Sequence, residues 1–147
     1  MQGKTYAEKI MIVGVDQVTP LHFHWSKMED IINRGGGKIV IQLFNSAADG
    51  KLADTPVTVS TDGVTHTVNA SDTVVLNPGE SITLPVGLYH KFWGAENRVL
   101  VGEVSMVNDD NSDNRFFEAV GRFPVIEEDE PPLYLLVQDY TKYYRGN

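Results

Sequence analysis

Three of the four histidines fall in two short segments whose spacing suits a metal centre. The first segment is Pro20-Leu21-His22-Phe23-His24-Trp25-Ser26-Lys27-Met28-Glu29-Asp30. On a strand, residues i and i+2 face the same side, so His22 and His24 would present two imidazoles about 6–7 Å apart along the backbone. Glu29 follows closely enough for a turn to return its carboxylate to the same place. Two imidazoles and a carboxylate suit a divalent transition metal. A His-x-His pair alone is more often surface decoration, so the second segment matters. It runs Gly79-Glu80-Ser81-Ile82-Thr83-Leu84-Pro85-Val86-Gly87-Leu88-Tyr89-His90. Its Pro-x-Gly turn joins two strands and lets His90 face back into a barrel. A third imidazole from a separate hairpin is what a closed site needs. His66 lies near the Asp62-Gly63 turn and reads as a surface strand residue.

The elements that must hold these groups are strands. Residues 6–13, 38–44, 56–60, 64–68, 73–76, 81–84, 90–93, 98–105 and 133–138 are short and rich in Val, Ile, Thr or aromatics, and many alternate. Thr61-Asp62-Gly63 is a hairpin signal, and Asn77-Pro78-Gly79 and Pro85-Val86-Gly87 punctuate the next pair. Residues 25–32 have room for one helical turn. Strands at this spacing predict an all-β sandwich or small barrel. The acidic turn at 127–130 reads as a solvated connection, and packing is expected for Tyr134.

With 147 residues the chain predicts a single domain, 1–147. It is 41% hydrophobic and 22% charged, which argues against disorder. It contains no cysteine, which excludes a disulfide framework, a thiol nucleophile and Cys-based metal sites. A net charge of −8 argues against nucleic-acid and anionic-membrane partners. No apolar run reaches membrane-spanning length. The expected location is cytoplasmic.

The two histidine segments resemble the paired motifs of the cupin superfamily. There the first is His-x-His, three or four residues, Glu, then Gly; the second is Gly, five residues, Pro-x-Gly, two residues, His. Gly94 stands where an asparagine often follows in that superfamily. The resemblance implies an all-β cupin domain, a double-stranded β-helix or jelly-roll barrel. A closer resemblance runs through nearly the whole chain. Tyr6-Ala7-Glu8-Lys9-Ile10-Met11, residues 19–27 (TPLHFHWSK), residues 29–37 (EDIINRGGG), residues 85–93, Gly102-Glu103-Val104-Ser105 and Asn108-Asp109-Asp110 are similar to the D-lyxose ketol-isomerases. Several longer members of that family carry an additional N-terminal segment.

That resemblance implies a metal-dependent aldose–ketose isomerase interconverting D-lyxose and D-xylulose, and D-mannose and D-fructose. It implies a divalent metal, commonly Mn2+, with His22, His24, Glu29 and His90 as ligands. It also points to a homodimer, the commonest symmetric assembly. Isomerisation needs proton transfer through an enediol, so an acid/base pair is required. Lys27, between the ligands, is one candidate, on the expectation that a cation and partial desolvation depress its pKa. Glu103 is the other: a carboxylate among valines in mid-strand costs free energy unless paired, which favours an inward position. The sequence does not assign which abstracts the proton. Asp109, Asp110 and Arg115 either bind sugar hydroxyls at the barrel mouth, with Lys27 and Glu103, or form a solvated loop. Trp25 and Trp93 either stack on a sugar or fill the core. Asp30, Asn33 and Arg34 either orient Glu29 or cap the turn before Gly35. Two other functions use the same motifs: an iron-dependent cupin dioxygenase, and a non-catalytic sugar-binding cupin.

Overall fold

The computed structural model describes residues 3, 5–120, 129–135 and 140–144. Strands dominate: β1 (Tyr6–Val13), β2 (Val18–His24), β3 (Glu29–Ser46), β4 (Leu52–Ala53), β5 (Val57–Thr61), β6 (Val64–Val68), β7 (Thr73–Leu76), β8 (Ser81–Leu84), β9 (Leu88–Met106) and β10 (Asn114–Phe116). One turn of helix, α1 (Tyr140–Tyr143), lies near the C-terminus. All pairings between these strands are antiparallel.

Two long strands organise the sheet. The first half of β9 lies between β2 and the second half of β3. The second half of β9 lies between β1 and the first half of β3. On its other edge β3 is covered by β8 near its start and by β7 beyond the middle. A sheet edge so shared can close only if the strands bend. β3 bends at Asn33–Lys38, where its register against β9 slips twice. Gly36 makes this possible at φ +100, and a Cβ there would collide with the Arg98 carbonyl. Asn33 is fully buried beside the bend. Its Nδ2 donates to the Gly37 and Leu76 carbonyls, both at 2.9 Å, and its Oδ1 accepts from Gly35 N–H at 3.0 Å. Asn33 therefore pins the turn.

Alternation in β3 buries Ile39, Ile41 and Leu43 completely. They pack in one cluster with Val57, Leu76, Ile82, Leu84, Phe92, Val99 and Val101. Burying each such side chain contributes roughly 1.5–3 kcal/mol. This apolar floor supports one half of the barrel and leaves the other half to polar groups.

Several sequence expectations change here. Residues 25–32 hold no helical turn: Glu29 to Ile32 pair with β8 on one side and β9 on the other. Two full ladders outweigh any local preference for helix. The segments 90–93 and 98–105 are one strand, because pairing with β3 continues through Gly94 and Ala95. Residues 133–135 are not strand, Leu133 and Tyr134 are exposed, and the remainder of that expected strand lies outside the described residues. The acidic turn at 127–130 lies partly outside them too.

Candidate metal centre and active site

Four buried side chains from three strands converge. β2 supplies His22 and His24, β3 supplies Glu29, and β9 supplies His90. His22 stands directly opposite His90 in the β2–β9 ladder, with ring centroids 4.3 Å apart. One ligand atom from each of the four residues lies within 4.8 Å of all the others. Glu29 Oε1 sits between two imidazoles, 3.2 Å from His24 Nε2 and 3.0 Å from His90 Nε2.

The donor set fits a divalent cation. His22 Nδ1 lies 2.7 Å from the Pro20 carbonyl and His90 Nδ1 lies 2.9 Å from the Leu88 carbonyl. A carbonyl only accepts, so each Nδ1 is assigned the proton and each Nε2 keeps its lone pair for the centre. His90 Nε2 is near Glu29 but misaligned for a hydrogen bond, and it has no hydrogen-bond partner among the described residues. A buried acceptor nitrogen facing a carboxylate is what a cation satisfies.

Lys27 is buried in the same place. Its Nζ donates to Glu29 Oε2 at 2.6 Å and to Glu103 Oε1 at 2.8 Å. Burial pushes this ammonium down, but Glu29 and Glu103 outweigh burial and raise its pKa above the ordinary lysine value. In the metal-free protein the expected depression is reversed: its own carboxylates hold Lys27 as an ammonium. Burial would raise the Glu29 carboxyl, yet the hydrogen bond from His24 and the Lys27 ammonium hold it well below the usual carboxylate range.

His22 is pushed down to about 3, first by burial and then by His90. It is neutral at pH 7, the form that binds a metal. The unfolded chain takes up a proton below its ordinary value of 6.5 while the folded one resists. Stability of the metal-free protein is therefore lost as pH falls from that value. We expect a loss of about 2 kcal/mol from this group between pH 7 and 5. Melting of metal-free wild-type and His22→Gln proteins at both pH values checks it, and equal drops in Tm would contradict it.

These residues open onto a cavity of ≈ 480 Å³. Lys27, Glu103 and Asp110 line it, together with Lys9, Asn114 and Phe116. Glu103 faces inward on β9 and is buried. Lys9 Nζ lies 3.3 Å from Glu103 Oε1 and 3.6 Å from Asp110 Oδ2. Phe116 stacks on His22 with centroids 5.4 Å apart.

Other candidates lie elsewhere. Arg115 is exposed on the face of β10 opposite Asn114 and Phe116, against the Gly50 turn and outside the cavity lining. Asp109 is exposed and accepts from Asn111. Trp25 is exposed and Trp93 half-buried, and neither lines the cavity. Asp30 accepts from Thr83 and Arg34 pairs with Glu8, so neither touches Glu29. His66 sits on β6, outside the cavity.

Two residues of the site carried no motif. Lys9 has a weaker signal: alternation puts it on the face of β1 that carries Met11 and Val13. Asp113 has none, being one of three aspartates in a polar loop.

The family model for D-lyxose isomerase matches residues 1–140. The chain is 54% identical over 143 residues to the D-lyxose/D-mannose isomerase of Serratia proteamaculans, covering 96% of this chain and 63% of that protein. It is 50% identical over 142 residues to the D-lyxose/D-mannose isomerase of Escherichia coli O157:H7, covering 95% of this chain and 63% of that protein. The chain thus spans less than two thirds of the length of either relative. Among solved structures, L-ribose isomerase of Cellulomonas parahominis matches with a TM-score of 0.55 at 21% identity, over 76% of this chain and 57% of that one. That likeness is one of fold, the all-β cupin barrel. Because the family match takes in both histidine motifs and the strands that carry them, the chain belongs to the D-lyxose isomerase family.

Proposed function

We propose that this protein is a metal-dependent aldose–ketose isomerase, interconverting D-lyxose with D-xylulose and D-mannose with D-fructose. The reading rests on one observation above others: His22, His24 and Glu29 of the three-histidine, one-glutamate cluster line the same cavity as a buried lysine–glutamate pair. The names of the relatives support the substrates. We propose Mn2+ as the ion, a homodimer as the working form and the cytoplasm as its location. Exposed Tyr6, Ile10 and Ile12 on the outward face of β1 support a second copy as partner.

His22, His24, Glu29 and His90 would hold the ion. When bound, a divalent cation acts as a Lewis acid that stabilises charge on the sugar's carbonyl and adjacent hydroxyl oxygens. The chain's own residues move the proton. The C–H next to the carbonyl is a weak acid and needs a base placed at its carbon. Lys27, held as the ammonium, donates a hydrogen bond to a substrate oxygen and stabilises negative charge there. Glu103 then accepts the proton from one carbon of the enediol pair and returns it to the other, while Lys27 gives a proton to the carbonyl oxygen and takes one back from the neighbouring hydroxyl. Lys9 and Asp110, at one side of the cavity, bind the remaining hydroxyls. The paired state of both lysines leaves no surplus positive charge, which suits a neutral sugar.

The test is turnover of D-lyxose and D-mannose by EDTA-treated protein, with and without added Mn2+. Activity is expected only after metal is restored, without oxygen uptake, and with solvent deuterium entering the ketose at C1 or the aldose at C2. Oxygen consumption would replace this reading with a dioxygenase. Sugar binding without deuterium exchange would replace it with a binding protein.

A further inference from the structure

Two of the three clustered histidines have an obvious partner for Nδ1, and the third does not. His22 and His90 face backbone carbonyls. His24 Nε2 donates to the Glu29 carboxylate at 3.2 Å, while its Nδ1 is buried with no hydrogen-bond partner among the described residues. A carboxylate oxygen, Asp113 Oδ2, faces it at 3.9 Å. Asp113 is itself buried and lies far along the chain, on the loop before β10.

The Asp113 carboxylate is heavily engaged. Its Oδ1 accepts from Ser26 N–H at 2.7 Å and Ser26 Oγ at 2.6 Å. Its Oδ2 accepts from Lys27 N–H at 3.2 Å and Asn108 Nδ2 at 3.1 Å. Its carbonyl also accepts from Trp25 N–H at 3.0 Å. One residue therefore grips the link between β2, which carries His24, and β3, which begins at Glu29. The same oxygen that holds Lys27 faces the orphan nitrogen of His24.

From this arrangement we infer that Asp113 is a positioning residue, the carboxylate partner of His24 in the metal-loaded protein. The inference rests on the metal reading of the site. An imidazole that ligates through one nitrogen needs an acceptor on the other to fix its tautomer and orientation. Backbone carbonyls do this for His22 and His90. For His24 a carboxylate would take the role: an ion on Nε2 replaces the proton now shared with Glu29, the ring proton moves to Nδ1, and Asp113 Oδ2, 3.9 Å away, is the acceptor that faces it. Because Asp113 also holds Lys27 N–H, the ligand and the proton-handling lysine are set in register by one group.

Asp113→Asn tests this role but also loses the Lys27 N–H and Asn108 contacts to Oδ2. It is therefore read beside Asn108→Ala, which of the contacts to that oxygen removes only a bracing one and is expected to leave Co2+ affinity unchanged. An asparagine oxygen can still accept from Ser26. Its amide, turned toward His24, is a donor and favours the tautomer with the proton on Nε2, which cannot bind metal. The probe is Co2+ alone, followed by its visible absorption during titration of the full chain. Asp113→Asn is expected to weaken Co2+ binding about 10–100-fold. Ser26→Ala, which removes only one loop hydrogen bond, is expected to leave Co2+ affinity unchanged. If Asp113 only braces the loop, all three variants lower Tm and none changes affinity, and the inference is overturned. Wild-type protein that takes up no Co2+ overturns the metal reading, and this inference with it. Should Asp113→Asn fail to fold, long-range 1H–15N correlation of Zn2+-loaded wild-type protein decides the matter. His24 is expected protonated at Nδ1, and a proton on Nε2 overturns the assignment.

Discussion

His90→Ala is expected to lose its metal and its turnover together. His90 comes from β9, while the other two imidazoles come from β2, so it is the group that closes the centre from the opposite strand. Its ring is buried, its Nδ1–H is fixed on the Leu88 carbonyl, and its Nε2 points at Glu29. Alanine leaves His22, His24 and Glu29 with one side of the site open. A single well-placed electrostatic contact to a developing charge is worth about 10²–10³ in rate, and losing the ion removes more than one. We expect kcat/KM to fall by about 10³-fold or more, with Mn2+ content far below one per chain. His90 is itself fully buried, so alanine also leaves a cavity, and loss of the ion must be told apart from loss of the fold. Thermal melting alongside metal analysis makes the distinction. His66→Ala serves as the control, since His66 lies on β6 away from the cavity and its loss leaves both metal and rate unchanged. A His90→Ala protein with full metal content and normal turnover would sink the proposed function.

The gathering of His22, His24, Glu29 and His90 was legible because its information is local. Strand alternation carries His22 and His24 to one face, and a Pro-x-Gly turn carries His90 back. The floor of the barrel was legible for the same reason, in the alternation of Ile39, Ile41 and Leu43. What was hidden is long-range. Residues 25–32 have room for one helical turn by sequence, and only pairing with β8 and β9 on both sides makes 29–32 strand. Asp113 acts on Ser26 from 87 positions away, and nothing in NDDNSDN distinguishes it from Asp109, which faces solvent. Arg115 shows the converse. Polar composition places it among sugar-binding candidates, but β10 pairs with β2 in a register that turns Asn114 and Phe116 to the cavity and Arg115 away. The charge state of Lys27 also depended on geometry: sequence predicted a lowered pKa, and two carboxylates at hydrogen-bond distance reverse it.

Lys27→Met is expected to keep the metal and lose the reaction. Methionine matches the lysine stem in length and leaves all four ligands in place. The rate is expected to fall by about 10²-fold or more, the usual size of a proton-handling contribution. A second effect must be separated from it. Lys27 Nζ bridges Glu29 and Glu103, so its removal leaves two buried carboxylates facing each other without that cation. Breaking a buried pair in this way costs about 3–5 kcal/mol, and metal on Glu29 offsets part of that. The double variant Lys27→Met, Glu103→Gln removes the Glu103 charge, which in the single variant Lys9 still faces, at 3.3 Å. Its Tm is expected to recover toward wild type. Its rate is not, because an amide in place of the Glu103 carboxylate cannot accept the proton. If stability and turnover recover together, Lys27 only balances charge. If Lys27→Met alone turns over at the wild-type rate, the role is wrong outright. Recovery of stability without turnover shows that the Lys27–Glu103 pair, 2.8 Å apart, does more for the reaction than balance charge, and the rate of Lys27→Met alone, read beside its Tm, gives the share of the ammonium.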